Sequence, residues 1–284
     1  LSTGTITNIG QPSTYSNGYG DPFGYYDDAT NCFYAGTYNG AGDSYVYTYS
    51  YATHSWSSPI EMVNIYSGAM YNGNLYISGL REPWTGGYDD SYISLCDLSG
   101  NGYHDALIET GGASAHLTLA NNGDIYYAYY STSGTSELYR WTAEQVAGVV
   151  NDLANGDEDT FLTLADGEKL SDLPGGGNGI TIDDAGNVFI TTNAYPDSSL
   201  LLWNGETGDG NNYDIIATNP DSTFGWFGPM DIEGDFLEGA TLYGSYSYYG
   251  PITAITYDTI PEPVTLCVLA AGAALAVLKK RRNA

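Results

Sequence analysis

An all-β body is expected from this chain, most simply a five-bladed β-propeller. Composition points that way: 28 tyrosines and 37 glycines stand among 284 residues, types that suit pleated surfaces and tight reversals better than helices. A repeat points the same way. Five segments share a turn of Asn, Asp or Gly followed by an alternating apolar or aromatic run: TNCFYAGTY (30–38), GNLYISGL (73–80), GDIYYAYY (123–130), GNVFITTN (186–193) and ATLYGSYSYY (240–249). Aligned on Phe33, Tyr76, Tyr126, Phe189 and Tyr243, they recur at intervals of 43, 50, 63 and 54 residues, near the ~40–50 residues of one four-stranded blade. A break in composition then separates a propeller of residues 1–259 from a tail of residues 260–284.

Each repeat supplies its own strands. GAMY (68–71), HLTLA (116–120) and GITID (179–183) lead into the repeat strands through NG, NNG and DDAG turns and read as hairpins. Third strands follow at SYVYTYS (44–50), SYISLCD (91–97), SELYRW (136–141), SLLLWN (199–204) and PITAITYD (251–258). Fourth strands are expected at PIEMV (59–63), ALIET (106–110), FLTLA (161–165) and YDIIA (213–217). The last repeat has no fourth strand before the tail, whereas TGTITNI (3–9) is a strand without a partner. Pairing the two closes the ring and removes exposed edges.

One helix interrupts the pattern, at TAEQVAGVVNDLANG (142–156). Thr142 can cap it, Glu144 lies in its first turn and Gly156 follows its end, while Val146, Val149, Val150 and Leu153 share one face. As an insertion in the third blade, docked on the ring, it accounts for the 63-residue interval. The stretch ITIDDAGNVFITTN (180–193) resembles the repeat of NHL-like exported propellers. The unequal intervals leave a β-sandwich or two smaller β domains as the competing architecture.

The tail reads IPEPVTLCVLAAGAALAVLKKRRNA. Its uncharged run, Val264 to Leu278, spans about 22 Å as a helix, short of a ~30 Å hydrocarbon core, so flanking cations must reach the headgroups. Lys279, Lys280, Arg281 and Arg282 supply them. Positive residues stay cytoplasmic, which puts the body across the membrane. The Pro261-Glu262-Pro263 triplet, the apolar transmembrane helix and the terminal basic cluster together resemble the PEP-CTERM sorting signal. That resemblance implies recognition and cleavage by an exosortase-type processing enzyme, and an address at the surface or in the extracellular matrix of a biofilm-forming bacterium. The first residue is Leu1, with no basic or apolar leader after it, which fits removal of a signal peptide.

Charge excludes one class of function. Residues 1–263 hold three cations, Arg81, Arg140 and Lys169, against 34 acids, a net −31. Such a field repels nucleic acid and draws divalent or basic partners, besides keeping an exported protein soluble. Of the cysteines, Cys267 lies in the tail, so Cys32 and Cys96 form at most one bridge in the body.

Chemistry concentrates in CDLSGNGYHDALIE (96–109). Asp97, Ser99, Asn101 and Asp105 place oxygens at alternating loop positions, Gly102 allows the sharp turn, and the Tyr103 carbonyl adds a ligand. The spacing resembles the DxDxDGxxD loop of FG-GAP propellers and implies a structural Ca²⁺, held less tightly because Ser99 and Asn101 carry no charge. An ordinary Asn-Gly hairpin turn is the alternative. Trp84 in REPWTGGYDD (81–90) and Trp226 and Phe227 in TFGWFGPMD (223–231) sit in Gly- and Pro-rich loops where a ring can stack on a sugar. Packing over the blade tops is the competing role. Ser114 and His116 lack the surroundings of a nucleophile elbow, so no triad is assigned.

These readings combine into an exported binding or structural module, non-enzymatic, whose partners are extracellular polysaccharide or copies of itself. A polysaccharide lyase or hydrolase on the same scaffold, or a self-assembling filament or sheet subunit, are the alternatives. Convergent carboxylates in a central pocket would mark the enzyme, and blade edges buried between copies the filament.

Overall fold

A computed structural model of the chain describes residues 24–27, 29–38, 43–63, 65–80, 91–98, 102–112, 115–130, 136–157, 160–192, 199–218, 227–232, 234–246 and 252–256. These form five sheets, each built on an antiparallel meander in chain order, with one short parallel strand added to the second. The first contains β1 (Gly24–Asp27), β2 (Cys32–Tyr38), β3 (Asp43–Ser50), the two-residue β4 (Ser55–Trp56) and β5 (Ile60–Val63), both of which pair with β3. The second runs β6 (Ile65–Tyr71), β7 (Asn74–Leu80), β8 (Ser91–Asp97) and β9 (Gly102–Glu109). In the third are β10 (Leu117–Leu119), β11 (Ile125–Tyr130), β12 (Ser136–Trp141) and the outer β14 (Glu168–Leu173); between β12 and β14 the chain forms helix α1 (Ala143–Ala154) and β13 (Leu162–Thr163), which joins the second sheet. The fourth has β15 (Gly177–Ile182), β16 (Val188–Thr192), β17 (Ser199–Trp203) and β18 (Tyr213–Thr218). The fifth has β19 (Phe227–Ile232), β20 (Thr241–Tyr246) and β21 (Ile252–Thr256).

Sheets meet through their first strands: β6 packs on β1 and β2, β10 on β6, β15 on β10 and β11, and β19 on β15 and β16. Meanders stacked face to face in chain order, inner strand against inner strand, are the arrangement of a β-propeller. Apolar residues fill the gaps between sheets. Val46 and Met62 pack with Ile65, Leu75, Ile77 and Cys96 between the first two, and Phe189, Leu200, Phe236 and Leu242 join the fourth and fifth. The close approach of the third and fourth is possible because residue 177 is glycine, where a Cβ would collide with Ala128. The β6–β7 turn needs left-handed backbone at both central positions, Asn72 (φ 49°) and Gly73 (φ 78°), which the NG pair supplies.

The helix forms where the sequence places it. Thr142 accepts from the Gln145 amide while the Gln145 side chain accepts from the Thr142 amide, and Val146, Val149 and Leu153 are buried. It docks on the neighbouring blade. The helix packs against β9 of the second sheet, and Val146, Val149 and Leu153 share a core with Ile93, Leu107 and Ile108.

Two expectations are corrected, and the pairing of the two cysteines is settled. FLTLA (161–165) is not the third sheet's fourth strand: Leu162 and Thr163 pair parallel with Ile108 and Glu109, extending the second sheet, and β14 takes the outer place. Phe227 opens β19 rather than standing in a loop. Cys32 and Cys96 are free thiols, for Cys96 is buried in the core between the first two sheets. The closing strand 3–9 and the tail, with Pro261, Glu262, Pro263 and the basic cluster, lie outside the described residues. Among those described, no helix is long and apolar enough to cross a membrane.

Candidate functional face

Strand direction sorts the connections onto two faces. Contacts near the strand starts, such as the Leu117 amide donating to Ser67 Oγ (3.3 Å) and the Ile65 amide to Ser44 Oγ (3.1 Å), show adjacent sheets running the same way. At the front, where first strands begin, lie the second-to-third-strand connections and the links between sheets. At the back lie the hairpin turns and third-to-fourth connections.

Front-face connections rest on buried hydroxyls. The third strand of four sheets carries a buried serine at its first or second residue, Ser44, Ser91, Ser136 and Ser199. Ser44 Oγ accepts from the first residue of β6, and Ser91 Oγ donates to the Gly112 carbonyl at 2.8 Å. Thr110 Oγ1 donates to the Ser91 carbonyl (2.9 Å), Ser78 Oγ donates to the Ala115 carbonyl, and the Ser199 amide donates to Thr192 Oγ1 (3.2 Å). Burying these groups is tolerable because each has a partner. Ser136 Oγ has none among the described residues. The Ala115 amide donates to the Tyr127 hydroxyl at 3.2 Å, and burial pushes that phenol up to about 12. His116 packs edge-on against Tyr66 (ring centroids 5.6 Å), and desolvation lowers its imidazole to about 4, so it is neutral at pH 7. Ser136 apart, these hydroxyls bond to backbone, an arrangement that fixes the connections in place.

The sequence reading missed these serines because they break no hydrophobic alternation. The signal was present nonetheless, as the same residue type in the same register of three repeats: Ser44 faces Tyr38, Ser91 faces Leu80 and Ser136 faces Tyr130.

Two predicted aromatics lie outside the described residues, Trp84 in the stretch between β7 and β8 and Trp226 just before β19. Phe227 pairs with Tyr246 at the front end of β19. The calcium-type loop belongs to the back. Asp97 ends β8 and pairs with Gly102, which opens β9, while Tyr103 pairs with Cys96. Asp105 stands on β9, and Ser99 and Asn101 lie outside the described residues. Among the described residues no group of three or more His, Cys, Asp or Glu is placed to hold a metal.

Acids elsewhere on the described surface serve backbone and lysine. Buried Asp183 accepts from the amides of Ala185, Asn187 and Phe236 and from Asn187 Nδ2, at 2.8–3.0 Å, joining the fourth sheet to the fifth. Lys169 Nζ meets Glu137, Asp172 and Asp209, each at 2.8 Å. The Asp172 carboxylate, then Asp209 and Glu137, raise the lysine's pKa, and Lys169 in turn holds Asp172 below the usual carboxylate range. Asp209 belongs to the acidic segment 204–214, which lies along β14: the Gly208 amide donates to the Lys169 carbonyl, the Asp172 amide to the Gly210 carbonyl, and Asn212 Nδ2 to the Leu170 carbonyl. That segment occupies an edge the sheet would otherwise leave open.

No family model matches the chain, and no curated protein matches it by sequence. Solved structures resemble it in shape. A gluconolactonase from Xanthomonas campestris superposes with a TM-score of 0.53 at 13% identity, over 83% of this chain and 71% of that one. A second gluconolactonase-like protein gives 0.50 at 10% identity, over 82% and 73%. The extracellular domain assigned to a hybrid two-component system of B. thetaiotaomicron gives 0.45 at 14% identity; the match takes in 89% of this chain but only 30% of that one. At such identities the likeness is one of fold, and it agrees with the stacked meanders: the chain has a β-propeller architecture.

Proposed function

We propose that this is an exported cell-surface or extracellular-matrix protein. In this reading its five-bladed propeller, closed by strand 3–9 on the last sheet, is a non-enzymatic binding module for extracellular polysaccharide. Residues 260–284 deliver it: the transmembrane run Val264 to Leu278 holds the precursor in the membrane until an exosortase-type enzyme cuts near Pro261-Glu262-Pro263. One observation carries the binding role. The second-to-third-strand connections gather at one face on a seat of buried serines and threonines, and in the sequence Trp84 falls between β7 and β8, and Trp226 and Phe227 at the start of β19. A rigid floor under aromatic loops suits sugar stacking, since the loops then lose little freedom when a ligand arrives.

Affinity electrophoresis through gels containing a neutral bacterial exopolysaccharide tests this. The intact chain should be retarded, and Trp84→Ala with Trp226→Ala should restore free mobility while leaving the melting temperature unchanged. Free migration of the wild type, or unchanged retardation of the double variant, would sink the proposal. Delivery is tested separately by the mass of the protein released from an exosortase-bearing host, which should end near Pro261.

A further inference from the structure

Eight asparagines of the chain precede a glycine. Five of these pairs lie among the described residues: Asn72–Gly73, Asn122–Gly123, Asn155–Gly156, Asn178–Gly179 and Asn204–Gly205. In such a pair the glycine nitrogen can attack the asparagine side-chain amide, since glycine puts no side chain in the way. The attack needs a nitrogen free of other bonds and a carboxamide folded back over it. Four of the five pairs lack that geometry. The Gly123 amide donates to the Ala120 carbonyl at 2.8 Å, and the Gly156 amide to the Leu153 carbonyl at 3.0 Å. Asn178–Gly179 lies within β15, where pairing steps from Gly177–Thr192 to Gly179–Thr191. Asn72–Gly73 is locked in the tight β6–β7 turn, closed by the pairing of Tyr71 with Asn74.

Asn204–Gly205 differs on each count. Both residues are exposed, and the Gly205 amide donates to no acceptor among the described residues. The Glu206 amide donates to Asn204 Oδ1 at 2.9 Å, an Asx turn that folds the carboxamide over the intervening Gly205 amide. The same donor faces the oxygen on which negative charge develops as the nitrogen adds to Cγ. Glu206 is itself held in place, its carbonyl accepting from Trp203 Nε1 at 2.6 Å. Gly205 has left-handed backbone (φ 89°) and open space where a Cβ would stand, so closing a ring there meets no neighbour.

We propose that Asn204 is a site of spontaneous deamidation, and that isoaspartate formed there releases the segment 204–212 from the edge of β14. The bond from Gly205 nitrogen to Asn204 Cγ forms as the Cγ–Nδ2 bond breaks, and the glycine proton leaves with the amide nitrogen as ammonia. Water then opens the succinimide ring at either carbonyl, giving aspartate or isoaspartate. Isoaspartate routes the main chain through Cβ and Cγ, which makes it one atom longer at this point. The segment has no slack for that atom. Its start is tied by the Asn204 amide to the Asn212 carbonyl (3.2 Å), and its middle by the Gly208 amide to the Lys169 carbonyl (2.9 Å) and by the Asp172 amide to the Gly210 carbonyl (2.8 Å). The Gly210 amide also donates to Asp172 Oδ2 at 2.8 Å. The new carboxylate joins Glu206 and Asp209 in the same segment, and like charges oppose its return to the sheet. β14 is then left with a bare strand edge. Such chemistry turns the age of the molecule into exposed edge, and it needs neither sugar binding nor the tail.

Peptide mapping of the full chain aged at mildly alkaline pH tests the site, with a urea-unfolded sample as reference. In urea the five pairs should convert at similar rates, whereas in the folded chain Asn204 should convert several-fold faster than the other four. Equal rates at all five in the folded chain, or conversion elsewhere while Asn204 persists, would overturn the assignment. Hydrogen exchange tests the consequence. The isoaspartate form, separated by chromatography, should exchange the Asp172 amide several-fold faster than fresh protein, and Asn204→Asp, with the same charge and an ordinary main chain, should not. Unchanged exchange in the isoaspartate form refutes the release, and equally fast exchange in Asn204→Asp refutes the added backbone atom as its cause.

Discussion

Asp183 shows how much one side chain can hold. Its carboxylate takes four hydrogen bonds, three from the turn that follows β15 and one from the Phe236 amide of the next sheet. Asp183→Ala leaves buried amides without an acceptor and should cost about 3 kcal/mol in urea unfolding, with the fifth sheet losing amide protection first. His116 gives the molecule a pH response. Its ring is enclosed, although the residue keeps partial surface, and its pKa falls from 6.5 to about 4. Between those values the unfolded chain binds the proton and the folded one does not, so stability is full above pH 6.5 and declines as pH falls toward 4, by roughly 2 kcal/mol. His116→Phe retains the contact with Tyr66 and should flatten this part of the stability–pH curve. A curve that keeps the wild-type slope would assign the response to other groups.

At the scale of elements, the insertion 142–167 behaves as a brace between neighbours. The capping box should make Thr142→Ala cost about 1 kcal/mol. Val149→Asp puts a charge into the core that the helix shares with both the second and the third sheets, so its effect should appear as faster hydrogen exchange in both and not in the first or the fifth. Exchange mass spectrometry resolves the sheets.

The same element explains what the sequence could and could not tell. Strands that alternate apolar and polar residues inside a repeat were legible, as was the capped helix. FLTLA was read as an outer strand because it is the more hydrophobic run, yet Glu168–Leu173 took that place. Its Lys169 and Asp172 look like loop residues until their partners in the next sheet are known. β1 was missed because GYYD is short and its central tyrosines stay exposed. β19 was missed because its glycine and proline argue against a strand. The serine seats share that cause: they act across sheets, and a local pattern has no access to contacts made at long range.

For the whole molecule, the excess of acid sets the response to ions. If the β8–β9 loop binds Ca²⁺, millimolar calcium should raise the melting temperature of the intact chain above its value in EDTA, and Asp97→Ala and Asp105→Ala should each abolish the rise. An equal rise in both variants would mean that calcium only screens the net −31.

The parallel pairing of Leu162 and Thr163 with Ile108 and Glu109 also constrains the order of assembly. As the chain grows from its N-terminus, the second sheet emerges without its outermost rung, which arrives only some fifty residues later inside the third repeat. Until then β9 offers a bare edge to any other nascent chain. Neighbouring blades therefore mature in overlapping pairs rather than one by one, and a pause in synthesis between residues 110 and 160 would be the moment of greatest risk of aggregation.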